Sequence, residues 1–384
     1  MRVLLLGAAG ACGSVALRHL CLSRDVEEVV AADVRITPLQ RLIRRLATEK
    51  VRPLKLDVRD KNALIKAMEE ADVVANATTY VHNLLVMKAA LEARKSLTDL
   101  GGMFYITREQ LELDGAFREA GLTAITGCGL APGIAEVLAV KGAEHVDRIR
   151  AIRIRYGEVD FTPALYKRSF RALLDGLTMR PVIYRRGEFV ELPPFSGKEF
   201  FDFPEPIGTR LCIYAVYPGV MTLPRNVGKD VELVEAKFGF SDTERLEAVV
   251  STLRTLGLLD EEPLKVDGVE VRPREVLLAC APPPEPGVED AVSLIVLVEG
   301  LRDGEEVLVR YTLTQAFHRT WGVSALSYLT GVSLSIATQM LGEGRVAGPG
   351  VMSLEGAVEA DTFIRALRAE GVRISEEVVV RREL

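Results

Sequence analysis

Gly7, Gly10 and Gly13 fall at every third position directly after the apolar run Val3 to Leu6. A buried strand, a glycine turn and a helix start, in that order, form a cradle for a dinucleotide. The first glycine permits the tight turn, the second admits a pyrophosphate, and the third lets helix and strand pack closely. Ala9, Ala11 and Cys12 fill the gaps with small side chains. A second apolar run ends at Asp33, twenty residues past Gly13. A carboxylate there meets the ribose hydroxyls and repels a 2′-phosphate, so NAD is expected over NADP. Arg35 beside it can stack on adenine or tolerate that phosphate.

Further candidates follow the next apolar runs. Asp57-Val58 offers either an acid for the adenine amino group or a helix N-cap. Asn76-Ala77-Thr78 and Tyr80 offer either small residues for a nicotinamide to lie over, with polar groups for ribose or substrate, or simple strand-to-helix caps. Asp99, before Gly101-Gly102, is either a carboxylate for an ammonium group or proton relay, or an Asx residue that stabilises its own turn. The segment Gly127 to Gly133 holds Gly129 and Pro132, with Pro132 suited to a first helical turn and Cys128 read as a small buried residue. Beyond it, Tyr166, Lys167 and Arg225 are candidates for a substrate pocket, the cations serving to hold a carboxylate. His82 is the best-placed histidine base, and no metal-ligand spacing occurs.

These residues need a frame. Strands are expected at 2–6, 27–32, 52–56, 72–76, 96–100 and 122–126, with helices at 13–23, 37–48, 60–70, 83–93 and 107–120. That alternation implies a parallel, doubly wound Rossmann sheet. Thr107 and Gln110 match a capping box, and Gly121 a helix stop. From about 150 the period changes to two, with Ile152, Ile154 and Tyr156 alternating against Arg153 and Arg155 as in a half-buried strand. Arg186-Gly187 and Asp267-Gly268 read as hairpin turns. Ser241 with Glu244 reads as a capping box, with Gly257 as the stop, and Pro282 to Pro284 as a surface linker. Residues 323–341 and 361–371 are helical, the first apolar on most faces and suited to burial between domains. The division is therefore residues 1–130 as the dinucleotide-binding domain, completed by 318–384, and 131–317 as an inserted, mainly antiparallel α+β domain.

Composition narrows the classes. The chain has 384 residues, 48% of them hydrophobic, with a net charge of −6. No basic stripe favours nucleic acid, and no apolar run is long enough to cross a bilayer. Five scattered cysteines suit reduced thiols in a cytoplasmic protein. Arginine outnumbers lysine three to one and amides are few, as in a thermophile or a GC-rich genome.

Taken in order, several segments resemble the saccharopine dehydrogenase-like family. They are the glycine turn 7–13, Leu56-Asp57-Val58, Asn76 to Tyr80, Asp99-Leu100-Gly101-Gly102, Gly129-Leu130-Ala131-Pro132-Gly133, Pro163 to Phe170 and the tail from Leu329. Ala131, where saccharopine enzymes commonly carry an acid, is similar to the lysine 6-dehydrogenase branch. Ala135-Glu136 stand where those enzymes have an acid and a histidine. The resemblance implies a Rossmann domain, an inserted substrate and dimerisation domain, a homodimer or higher homo-oligomer, and NAD(P)-dependent oxidation of an amino-acid amine. On a lysine substrate Asp99 would orient the ε-amine, Tyr80 and Tyr166 would shape the pocket, and Lys167 or Arg225 would hold the α-carboxylate. Saccharopine chemistry, a related carboxyamine condensation, and a silent NAD-binding protein are the alternatives.

Overall fold

The computed structural model describes residues 1–161, 169–281 and 287–381. Tyr166, Lys167 and the Pro282 to Pro284 linker, together with most of the Pro163 to Phe170 segment, lie outside the described residues.

The first sheet is built by β1 (Arg2–Leu6), α1 (Ala11–Leu22), β2 (Glu28–Asp33), α2 (Ile36–Leu46), β3 (Val51–Lys55), α3 (Lys61–Glu69) and β4 (Val73–Asn76). It continues with a 3₁₀ turn (Tyr80–His82), α4 (Asn83–Ala93), β5 (Leu97–Asp99), α5 (Phe104–Leu111), α6 (Asp114–Ala120) and β6 (Thr123–Thr126). Val3 to Leu6 and Val73 to Asn76 are buried on both faces. That is why they read as continuous apolar runs, as central parallel strands do. Gly121 ends α6 at φ 68°, as expected from its position. Thr107 caps nothing: it is buried inside α5, and the Gln110 side chain turns to Asp99.

The chain then enters a second sheet through α7 (Ile134–Ala143) and β7 (Arg148–Asp160). There follow α8 (Phe170–Thr178), β8 (Val182–Arg185), β9 (Glu188–Glu191), β10 (Glu199–Asp202), β11 (Thr209–Tyr214), α9 (Gly219–Val227), β12 (Leu233–Gly239) and α10 (Thr243–Thr255). A small hairpin, β13 (Leu264–Val266) and β14 (Val269–Val271), precedes α11 (Pro273–Cys280), β15 (Asp290–Arg302) and β16 (Glu305–Ala316). Arg186-Gly187 and Asp267-Gly268 have positive φ at both positions and turn tight hairpins, as expected. The cap of α10 is Asp242, which accepts from Arg245 N, while Ser241 bonds Asp160 instead. Strand β7 is not half-buried: Arg155 is only 3% exposed, because Glu199 and Glu235 pair with it inside the sheet's cover.

The tail consists of α12 (Ala325–Gly342), β17 (Gly350–Ser353), α13 (Leu354–Ala357), α14 (Ala360–Ala369) and β18 (Ile374–Arg381). It divides between the sheets. β17 pairs with β6, giving a seven-stranded parallel sheet in the order β17-β6-β5-β4-β1-β2-β3. β18 pairs with β16 at the edge of the nine-stranded sheet, which is mainly antiparallel apart from the β12–β7 pair. α12 is buried along most of its length and packs on α1, β4, β5 and β15. A Cβ on Gly331 would lie 2.6 Å from the Cys12 carbonyl oxygen, so glycine is what lets α12 approach the glycine-turn helix. None of the described helices is long and apolar enough to cross a membrane.

Candidate active site at the strand ends

All strands of the first sheet run parallel, so their carboxyl ends share one edge. Strand order reverses there between β4 and β1, the position where open α/β sheets bind ligands. Gly7 leaves β1 at φ 74°, and a Cβ on Gly13 would sit 2.1 Å from the Gly7 carbonyl oxygen. Helix α1 therefore starts tight against the turn. Gly10 caps it without a side chain, and its first turn holds no acid, so no carboxylate opposes an anion at the positive end of the helix. Ala9, Ala11 and Cys12 add no bulk in the same stretch. This cradle fits a dinucleotide.

Asp33 is 7% exposed and accepts from Ala9 N at 2.9 Å and Arg35 N at 2.8 Å. The Arg35 guanidinium, on the solvent side, donates to the Ala9 carbonyl at 3.0 Å and stands 3.6 Å from Asp33. Acid and arginine thus form one unit at the rim. Asp57 is not a helix cap, since Asp60 caps α3. It chelates the Arg59 guanidinium, which pulls its carboxyl down to about 2, while Val58 is buried beside it. Burial and then Arg59 hold the neighbouring His82 imidazole below its ordinary range.

Of the two readings open for Asn76, a ribose or substrate contact and a strand-to-helix cap, this geometry is that of the cap, with the amide taken up inside the protein. Oδ1 accepts from Thr78 N and Oγ1, and Nδ2 donates to Asn83, whose own amide donates to the Gly101 carbonyl. The linkage ties the end of β4 to the end of β5. It also holds Ala77 opposite Gly7, where a Cβ would come within 2.7 Å of the Ala77 oxygen.

Asp99 is 1% exposed. Its Oδ1 accepts from Gly101 N at 2.6 Å and Gly127 N at 3.2 Å, and its Oδ2 from Gln110 Nε2 at 2.6 Å. Burial raises its pKa to about 6 against the pull of those three donors. Of the two readings open in the sequence, this geometry is that of the Asx turn: the carboxylate clamps the ends of β5 and β6. Cys128, behind it, is a buried thiol that burial pushes up.

Gly129 N donates to the Pro132 carbonyl, and the Ala131-Pro132 peptide is cis. The resulting loop bounds a cavity of about 90 Å³ lined by Leu100, Ala131, Pro132, Tyr156, Phe238 and Thr330, among others. Its walls come from both sheets and from α12. Tyr156 and Phe238 pack at 5.1 Å, and the Tyr156 hydroxyl is held by Glu158. Tyr156 and Phe238 were legible only as strand residues, and Thr330 only as part of the tail that carries the resemblance.

Tyr80 is buried, and its hydroxyl donates to Asp175 of α8, which also pairs with Arg274 of α11. Arg225 is exposed on α9 and lines neither this cavity nor its neighbour. The next residue, Asn226, is also exposed, and its amide donates to Ser353 and Glu355.

Comparison with known proteins agrees with this architecture. The family model described as the saccharopine dehydrogenase NADP binding domain matches residues 3–125, and that of the saccharopine dehydrogenase C-terminal domain matches 129–372. Carboxynorspermidine synthase of Vibrio alginolyticus is 25% identical across 97% of this chain and 96% of its own. Carboxyaminopropylagmatine dehydrogenase of a Synechocystis species is 23% identical across 98% of both. The solved saccharopine dehydrogenase (L-Glu forming) from Saccharomyces cerevisiae shares the fold, with a TM-score of 0.73 at 20% identity over 98% of this chain and 99% of that one. These relatives do not carry the lysine 6-dehydrogenase name that Ala131 had suggested. With a nicotinamide cradle on the first sheet and both family models matched in order, the chain belongs to the saccharopine dehydrogenase family of NAD(P)-dependent oxidoreductases.

Proposed function

We propose that this protein reduces the imine formed between a primary amine and an amino-acid semialdehyde, giving a carboxyl-bearing secondary amine. One observation carries the reading: the cavity at the ends of β5 and β6 is walled by Leu100, Ala131, Pro132, Tyr156 and Phe238, with no charged side chain in its lining. A neutral C=N bond suits such a wall. Exclusion of water there slows hydrolysis of the imine and strengthens every polar contact made inside. A nicotinamide cofactor held by the glycine turn would supply the hydride that reduces the C=N bond, with the proton on nitrogen drawn from solvent. Two relatives matched over nearly their whole length, one named as a synthase and one as a dehydrogenase of carboxyamine compounds, support the same class.

In this reading the chain's own residues divide the work. Gly7, Gly10 and Gly13 seat the pyrophosphate, Asp33 and Arg35 meet the adenosine ribose, and Asp57 and Val58 flank adenine. Asn76, Ala77, Thr78 and Gly129 shape the floor under the nicotinamide. Asp99 is a positioning residue that holds the β5 and β6 loops. The cofactor is NADP(H), because Asp33 is already bonded by two N–H groups and Arg35 offers its guanidinium to a 2′-phosphate. The unit built on the second sheet carries the substrate and the contact with a second copy.

The test is absorbance of NADPH with purified protein, a panel of amines and a panel of amino-acid semialdehydes, with product mass measured. Consumption is expected only when amine and aldehyde are both present. Steady production of NADH from lysine alone would sink the proposal and restore the lysine dehydrogenase reading.

A further inference from the structure

Reduction of a C=N bond leaves its nitrogen one proton short, and few side chains of the apolar cavity can give one. Among the described residues that line it, none carries a carboxyl, amine, imidazole or thiol, and only Tyr156 and Thr330 carry a hydroxyl. Thr330 is the poorer source, because an aliphatic alcohol is a far weaker acid than a phenol. The acids close in the fold are placed elsewhere. Asp99 is outside the lining, and its oxygens are taken by Gly101 N, Gly127 N and Gln110. Glu136 and Glu355, with Thr107, line a separate cavity of about 10 Å³ that Pro132 also bounds.

Tyr156 is itself coupled to an acid. Residues two apart on a strand share a face, so Glu158 stands beside it on β7 and accepts from its hydroxyl at 2.5 Å. That distance lies at the short end for a bond between oxygens. The two residues are 2% and 4% exposed. β7 lies inside the nine-stranded sheet, where Tyr156 pairs in register with Phe238 and Leu294, and Glu158 with Val292. Gly157 between them faces the other side of the sheet, where a Cβ would come within 2.7 Å of the Phe203 ring. Phenol and carboxyl are thus held by a packed central strand, as a catalytic pair requires. Two residues further on the strand ends at Asp160, followed by the exposed Phe161, so Glu158 stands on the solvent side of Tyr156.

We infer that Tyr156 is a catalytic residue that gives the substrate nitrogen its proton, and that Glu158 is the positioning residue that replaces it. The inference rests on the imine-reducing reading above and adds the route of the proton. In the resting site the phenol donates to Glu158. A solvent proton taken up by the carboxyl reverses that bond and turns the phenol proton to the cavity. As hydride from the nicotinamide reaches the imine carbon, the π pair of C=N moves onto nitrogen and takes the phenol proton. The phenol oxygen then takes the proton of the carboxyl. One hydride and one solvent proton are consumed, C=N becomes CH–NH, and Tyr156 and Glu158 return to their starting forms.

The test joins NADPH consumption at saturating amine and aldehyde to calorimetric binding of the secondary-amine product by protein loaded with NADP⁺. Tyr156→Phe keeps the ring against Phe238 and loses the donor. Its kcat is expected to fall about 10²-fold or more, with KM within about threefold of wild type. Product binding is expected to weaken about two- to tenfold, the share of one hydrogen bond. Glu158→Gln still accepts from the phenol but carries no proton, so kcat falls about tenfold or more while KM and product affinity hold. Melting curves confirm folding. Should the lone buried carboxyl unfold Tyr156→Phe, the double variant Tyr156→Phe/Glu158→Gln removes that charge and takes its place. The inference is overturned if kcat of the folded Tyr156 variant falls less than about 10²-fold, if KM carries the loss, or if Glu158→Gln keeps kcat in full. A wild type that reduces no imine sinks the condensing reading, and the relay with it. A wild type that reduces imines beside an equally active Tyr156→Phe sinks the relay alone.

Discussion

The Tyr80 hydroxyl donates to Asp175, 95 residues further along the chain, and both side chains are buried. Tyr80 stands at the end of β4 in the first unit, and Asp175 on α8 in the second. Arg274 closes the group from α11. The contact makes Tyr80 a bridge between units rather than a free pocket hydroxyl. Burial and Asp175 hold its phenol above the ordinary tyrosine range, so it stays protonated at neutral pH.

Tyr80→Phe should therefore lower stability by about 1–3 kcal/mol, the cost of leaving a buried acceptor short of one donor. It should leave the pH dependence of turnover between pH 6 and 9 unchanged. Urea melts and a pH–rate profile check both. A profile that loses one limb in the variant would mean that Tyr80 titrates during the reaction.

Asp99→Asn separates positioning from proton transfer. Asn keeps the acceptor that serves Gly101 N and Gly127 N, and a flipped Gln110 amide can meet the new NH₂, since Gln110 Oε1 has no partner. kcat should stay within about tenfold of wild type, because a positioned acid–base group would contribute about 10²-fold or more.

The same residue sets a pH dependence of stability. Its folded pKa of about 6 lies above the unfolded value, so the folded state binds the proton more tightly. Stability from this group is present at low pH and is lost as pH rises from about 4 through about 6. The loss is on the order of 3 kcal/mol. Denaturant midpoints of wild type should fall relative to those of Asp99→Asn across that window. Parallel curves would contradict the assignment.

Arg35→Ala should weaken NADPH binding by about tenfold or more while NADH binding moves by less than about threefold, since of the two cofactors only NADPH brings a 2′-phosphate to the guanidinium. Fluorescence titration of both cofactors reads the difference. Equal losses for the two would return Arg35 to a support for Asp33 and restore the expectation of NAD.

Gly331→Ala tests how the tail supports the cofactor turn. The added Cβ would press on the Cys12 carbonyl and the Val15 side chain. Overpacking of this kind costs about 1–3 kcal/mol, and it should fall on both thermal stability and cofactor affinity. Unchanged affinity in a destabilised variant would uncouple α12 from the cradle.

Much of the first sheet was legible because its central strands are buried on both faces and its strands are separated by helices of ordinary length. β17 was not. Gly350 to Ser353 is too short for a period to show, and it is positioned by pairing with β6 and by Asp114, which accepts from Val351 N. Thr107 and Gln110 show the opposite failure: the spacing of a capping box appears inside a helix, where one side chain faces a cavity and the other binds Asp99. The exposed face of Arg225 was equally hidden, since a helix's inward side depends on what packs against it.

Local chemistry alone determined the cofactor cradle. The glycines, Asp33 and the strands that carry them lie within one stretch of chain, and their spacing follows from backbone geometry. The cavities at the strand ends depend on contacts between distant segments. Ala131 by itself suggested a lysine dehydrogenase, but the apolar cavity takes its walls from β7, β12 and α12. Glu136 meets Glu355 only because β17 brings α13 back to the first sheet. Side chains so far apart in sequence leave no period or motif, and only the packing of the two sheets decides that they line one cavity.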